Sequence, residues 1–477
     1  MNLINMKKYG IIAALVAVVV AGIVGWRMLR GRDDSMASSL PADITMVGRV
    51  DVKTLVMDYG LDLGDLKDLL FADKKETGIK FQTAAYIFAT QNYFGGILAL
   101  SDNDDFEAML QEQGIDTEEQ RGMKWGVIND NMLFAIDDDR VMWMGPAVGS
   151  EQDALRNTIY SCLKQSASES GKQSRIYKLL DQRKEPVALS TNMAALPEEL
   201  RSKYLKYLPG DLPLGDLDVM AGFTAHKDRM SLSLGLSSEN KSVNKQLDKF
   251  NDVLDKIDGD LVKTTPPNSL FHIEMGVDGE DLLKLLRENK ILRTALLAVN
   301  MVIDFDKILK SIDGDVALTC LDFASDMPNL MFQAKLDSDN FMKDVSDWND
   351  ASTEAMGLSF YSQGKNNAVC IYGGLPVYFG TRDKRLTISN TEALVKAEAY
   401  ADVQKKFASD MKGCRIYAML NLSKLKPVLA VFSPAAVQYL DNFDRVTLRV
   451  TDVREIRLDL ITRDGVDILK ELSKNEE

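Results

Sequence analysis

Histidine is almost missing from this chain: its 477 residues include two, His226 and His272. Zinc sites need closely spaced His, Cys or carboxylate ligands, and neither C-x-x-C nor H-E-x-x-H occurs, so no metal is expected. A Ser-His-acid triad is arithmetically possible, but there is no G-x-S-x-G elbow, and both histidines read as ordinary strand residues. Cysteine is scarce as well. Cys162, Cys320, Cys370 and Cys414 show no framework spacing and are expected to form no disulfide essential to folding. No Walker loop is present. Gly95-Gly96 and Gly373-Gly374 read as strand glycines, without the following helix that a phosphate cradle needs. No catalytic, cofactor-binding or metal-binding residue is therefore assigned, and the expectation is that the protein is not an enzyme.

Basic charge is in deficit, with 57 Lys and Arg against 71 Asp and Glu. Five of those bases, Lys7, Lys8, Arg27, Arg30 and Arg32, lie in residues 1–32, which hold no acid. The remainder is acidic enough to repel phosphate backbones, which argues against a nucleic-acid partner. Asp102-Asn103-Asp104-Asp105 and Asp137-Asp138-Asp139 lack the Gly and distant Glu of an EF-hand loop. They read as hairpin ends and helix caps.

Tyr9 to Trp26 is uncharged and apolar. As a helix it would extend about 27 Å, close to the roughly 30 Å of bilayer hydrocarbon, with aromatic rings at its ends. The expectation is a signal anchor over 9–28, with a cytoplasmic tail over 1–8 and a polar linker over 29–40. A signal peptide cut after Ala21 is the rival reading, and the apolar run past that point argues for retention.

One phrase recurs four times: an apolar run, Asp or Asn, then Leu four positions on. The pairs are Asp51 and Leu55, Asn192 and Leu196, Asp278 and Leu282, and Asn421 and Leu425. Alternation predicts a half-buried strand, the Asp or Asn a helix cap, and the Leu a core contact. A hairpin is predicted after each copy, turning at Gln91-Asn92, Lys227-Asp228, Asp326-Met327-Pro328 and Asp452-Val453-Arg454. Strand inserts at 125–164 and 358–407 separate copies one and two, and copies three and four. Pro266-Pro267 breaks the chain before copy three as Pro41 does before copy one. Two α+β halves follow, 41–262 and 263–477. The expected fold class is α+β: an N-terminal single transmembrane helix plus a duplicated body of strand-helix-hairpin-helix units, in mostly antiparallel sheets with helices packed on them.

The apolar start, the opening Leu-Pro-Ala-Asp-Ile-Thr-Met-Val-Gly-Arg-Val-Asp-Val-Lys-Thr-Leu (40–55) and Asn-Leu-Ser-Lys-Leu (421–425) resemble an uncharacterised Bacteroidetes envelope-anchored family, a domain of unknown function. Its members open with a P-A-D-A…D-x-K-S-L segment and are mostly lipoproteins or membrane-anchored. This chain has no Cys before Cys162 to carry a lipid. The resemblance implies the inner membrane, with the body in the periplasm, and supplies no catalytic residues. The functional expectation is a binding or scaffolding protein of the envelope with a protein or peptide partner, and no cofactor. The alternatives are an envelope-polymer hydrolase working through Asp/Glu pairs and a cytoplasm-facing membrane adaptor.

Overall fold

The computed structural model describes residues 34–51, 77–195, 213–266, 268–322, 327–349, 357–397, 409–432 and 440–468, with single positions between them. It divides into two compact units: unit 1 comprises 1–201, 214–237 and 465–477, and unit 2 comprises 202–213 and 238–464.

Unit 1 holds strands β1 (Met46–Val50), β2 (Ala85–Ala89), β3 (Phe94–Ala99), β4 (Glu118–Gln120), β5 (Met123–Ile128), β6 (Met132–Asp137), β7 (Arg140–Gly145), β8 (Val187–Asn192), β9 (Asp218–His226) and β10 (Arg229–Ser237), with helices α1 (Asn103–Glu112), α2 (Glu151–Lys164) and α3 (Arg175–Asp181). Its sheet runs β4-β5-β6-β7-β3-β2-β1-β8-β9-β10, antiparallel throughout.

Unit 2 holds helix α4 (Lys241–Val253), the short strand β11 (Leu254–Asp255), β12 (Phe271–Asp278), helices α5 (Gly279–Glu288), α6 (Lys290–Asn300) and α7 (Phe305–Lys310), then β13 (Ile312–Cys320), β14 (Leu330–Leu336), β15 (Leu358–Ser362), β16 (Asn367–Tyr372), β17 (Leu375–Arg382) and β18 (Arg385–Ser389). Helix α8 (Glu392–Lys396), β19 (Ile416–Asn421), helix α9 (Leu422–Phe432), β20 (Phe443–Asp452) and β21 (Glu455–Thr462) complete it. Its sheet runs β15-β16-β17-β18-β14-β13-β12-β19-β20-β21, again antiparallel throughout, and β11 adds to β12.

The two orders are the same list of roles. A central antiparallel pair (β1 with β8, β12 with β19) is flanked on each side by a hairpin, and a four-strand insert extends one side. The four recurring phrases occupy those four central strands. Each Asp or Asn accepts a backbone hydrogen bond where its helix begins: Asp51 from Thr54 (3.0 Å), Asn192 from Ala194 (2.9 Å), Asp278 from Asp281 (2.9 Å) and Asn421 from Lys424 (3.1 Å). These caps satisfy N–H groups that have no intrahelical partner. Leu55 and Leu196 lie outside the described residues. Leu282 packs against the core of unit 2.

The expected N-terminal transmembrane helix is not part of this architecture, and the fold class is corrected accordingly. Among the described residues no helix is long and apolar enough to cross a membrane. The longest, α2, has 14 residues, about 21 Å at the helical rise, well short of roughly 30 Å. Residues 9–28 lie outside the described residues. The segment from Gly279 to Lys310 is three successive helices. Asn289 ends α5 and recaps α6 by accepting from the N–H groups of Ile291 and Leu292.

In unit 1 Val47, Tyr86, Phe88 and Ile97 pack against Leu155 and Ile159 of α2 and Leu180 of α3. On the opposite face, Leu98, Phe134 and Trp143 pack against Phe106 and Leu110 of α1. Gly96 is a strand glycine whose missing Cβ makes room for the Trp143 ring. Gly373-Gly374 is not in a strand: with φ of 56° and 83° it forms the two-residue turn between β16 and β17, a conformation that favours glycine. In unit 2 Val277, Leu336, Phe360 and Phe379 pack against Leu283 of α5, Leu309 of α7 and Trp348. The outer edge of β15 is closed by Asn349, whose side-chain amide donates to Phe360 O (2.6 Å) and accepts from Phe360 N (2.8 Å).

Candidate functional site: a buried polar centre in unit 2

Period-two alternation puts His272, Glu274 and Gly276 on one face of β12. The register sets them opposite Thr319, Ala317 and Asp315 of β13, and Gln333 of β14 lies beyond Ala317. These polar side chains are buried rather than wet. The segment 257–265 lies over them, supplying Thr264 Oγ1 to Gln333 Nε2 (2.9 Å) and the backbone N–H groups of Asp258 (3.2 Å) and Gly259 (3.0 Å) to one oxygen of Asp315.

His272 is the hub. Its Nδ1 is 2.9 Å from Thr319 Oγ1 and its Nε2 is 2.9 Å from Glu274 Oε2. Burial pushes the imidazole down to about 4 and the Glu274 carboxyl up to about 8, so both are neutral at pH 7. Burial, a hydrogen bond to Asp258 and the nearby Glu274 push Asp315 up to about 8. Asp258 behaves oppositely. Burial works against its charge, but hydrogen bonds from Asp315 and Lys335 outweigh that and hold it at about 2. Asp315 thus keeps a proton that it shares with an ionised Asp258, and Lys335 balances the charge.

Thr319, His272 and Glu274 follow one another as hydroxyl, base and acid do in a hydrolytic triad. The Thr319 hydroxyl is sealed from solvent, so in this arrangement a substrate has no path to it. Glu274 Oε1 and Gln333 Oε1 are each buried without a protein hydrogen bond.

The other singled-out residues lie elsewhere. His226, at the end of β9, belongs to unit 1, and His272 to unit 2. The two acidic clusters do meet. Asp102 caps α1 by accepting from Asp104 and Asp105, Asn103 donates to Asp138 O (2.7 Å), and Asp137 is buried against Lys164 (2.7 Å). Asp102, Asn103, Asp104, Asp138 and Asp139 line an open depression of about 300 Å³. Among the described residues no group of three or more His, Cys, Asp or Glu is set to hold a metal ion. All four cysteines are free thiols, with Cys162, Cys320 and Cys414 buried. Burial raises the Cys162 thiol to about 12.

Reading the sequence alone missed Glu274, Asp315, Gln333 and Lys335. The signal was present as polar residues at alternate strand positions. That pattern ordinarily marks the wet face of an antiparallel sheet, and here it marks the closed one.

Fold and site together define a duplicated, antiparallel α+β protein with a sealed polar centre. The chain belongs to the domain-of-unknown-function family DUF4836, whose family model matches residues 57–432. No curated protein matches it. Among solved structures it has a partial likeness to TP0453. Crystal form III gives 12% identity and a TM-score of 0.28 over 46% of this chain and 86% of that one. Crystal form I gives 13% identity and 0.29 over 45% and 83%. Likeness at that level carries no functional argument.

Proposed function

We propose that the chain is a non-enzymatic binding or scaffolding protein of the cell envelope, its body outside the cytoplasm, with a protein or peptide partner seated on the sheet of unit 2. One observation carries the reading: the β12 face that packs Val277 against Leu283 and Leu309 is left partly open further along the strand. His272 and Glu274 are fully buried, while Ile273 between them is 36% exposed and its neighbour Leu318 is 37% exposed. The register extends this apolar row to Phe332, which packs against the core, on one side, and through half-buried Ala418 and Leu448 to exposed Leu458 on the other. Exposed apolar side chains aligned on one sheet face are a feature of interaction sites. The envelope location rests on the opening segment 40–55 and its resemblance.

The hydrolase reading requires paired carboxylates facing an open cleft. Glu274 and Asp315 are paired, but both are buried. A photo-crosslinking residue placed at Leu318 in cells should trap one discrete partner, and Leu318→Asp together with Ile273→Asp should abolish binding of that partner. The same reagent at exposed Glu455 is the control. Equal labelling at both positions, or none, would remove the reading.

A further inference from the structure

Helix α6 packs on α5 and α7, and Leu296 is its one buried residue. Ile291 is 66% exposed, Leu297 is 63% exposed and Met301, one residue past the helix, is 73% exposed. At 100° per residue Ile291, Met301, Thr294 and Ala298 project from the side opposite Leu296, and Leu297 lies on the flank beside Met301. A surface helix ordinarily turns polar side chains that way. Residues 289–303 contain no acid and two bases, Lys290 and Arg293, in a chain whose acids outnumber its bases. Neither base has an ion-pair partner among the described residues. The flanking acids are engaged elsewhere, Glu288 with Lys249 and Asp304 with the backbone N–H of Lys307.

We propose that α6 is an interfacial helix that docks on an anionic lipid surface. Ile291, Leu297 and Met301 enter the headgroup boundary, and Lys290 and Arg293 meet lipid phosphates. Around the helix Lys290 falls between Leu297 and Met301 and Arg293 just beyond Leu297; apolar side chains with bases beside them are the composition such helices use, and each base near an anionic surface adds attraction. Charge complementarity selects this occupant over a second copy of the chain. A two-fold pairing of α6 with itself would bring four unneutralised bases together. The residues named here are not those of the apolar row on the sheet, so the two readings are tested by different substitutions.

The test uses the full chain carrying Leu297→Trp, with Ile291→Trp as a second reporter and far-UV circular dichroism as a check on folding. It is mixed with vesicles whose acyl chains are brominated. Emission gained over the parent chain should be quenched several-fold more in phosphatidylglycerol-containing vesicles than in pure phosphatidylcholine. Adding Lys290→Glu and Arg293→Glu should remove that difference. Two results would overturn the proposal: gained emission that stays unquenched in anionic vesicles, or quenching that ignores both lipid charge and the charge reversals. A concentration-dependent dimer that Leu297→Ser dissolves would also overturn it, assigning the face to a second copy.

Discussion

Glu274 Oε2 lies 2.9 Å from His272 Nε2, with both side chains fully buried on one face of β12. The pair is neutral: burial raises the acid and lowers the base, so neither carries charge at pH 7.

That pair sets a pH dependence. Glu274 binds its proton more tightly in the fold (about 8) than in the unfolded chain (4.5), and Asp315 does the same. Their contribution is complete below the unfolded value and is lost as pH rises through about 8. His272 has the opposite sense, present above 6.5 and lost as pH falls through about 4. Between pH 6.5 and 8 the carboxyls act alone, so urea midpoints for unit 2 should fall as pH rises and level off above 8. Glu274→Gln should flatten the slope. A midpoint that climbs across this window would contradict the assignment.

The four caps act locally. Asp278→Ala and Asn421→Ala should each cost about 1 kcal/mol, and the double variant about the sum, because they cap separate helices. Asp278→Asn should be nearly neutral. Chemical denaturation of the four variants checks this, and an unaffected Asp278→Ala would show that the hydrogen bond it accepts from Asp281 adds nothing.

Asn349 stands in for a missing strand beside Phe360. Asn349→Ala removes both hydrogen bonds, worth about 1–2 kcal/mol together, and uncovers the edge of β15, whose neighbour Tyr361 is already exposed. Uncovered edges recruit other strands, so light scattering should report faster aggregation than for the parent. Unchanged scattering with lowered stability would confine Asn349 to a packing role.

Gly96 faces the Trp143 ring with no space for a methyl group. Gly96→Ala should cost about 1–3 kcal/mol through overpacking. Combined with Trp143→Phe, the cost should be less than the sum of the single changes. Additive costs would mean that the ring is not what excludes the methyl group.

Much of the frame was legible because its signals are local. Asp51, Asn192, Asp278 and Asn421 each find a donor within three residues along the chain. The turns at Lys227-Asp228 and Asp452-Val453-Arg454 sit between strands β9 and β10 and strands β20 and β21. Gly373-Gly374 was misread because a glycine pair inside an alternating run looks like strand until its positive φ is seen.

What the chain determines by itself, then, is period, cap and turn, all set by neighbours a few residues apart. It does not determine which face of β12 is covered. His272, Ile273 and Glu274 alternate in the same way whichever side is closed. Only the folded segment 257–265, laid over the polar side and bonded to Asp315 and Gln333, makes that side interior as well, while the opposite face is covered at Val277 and left partly open at Ile273. Burial then suppresses charge on His272 and Glu274, and no local pattern carries that information.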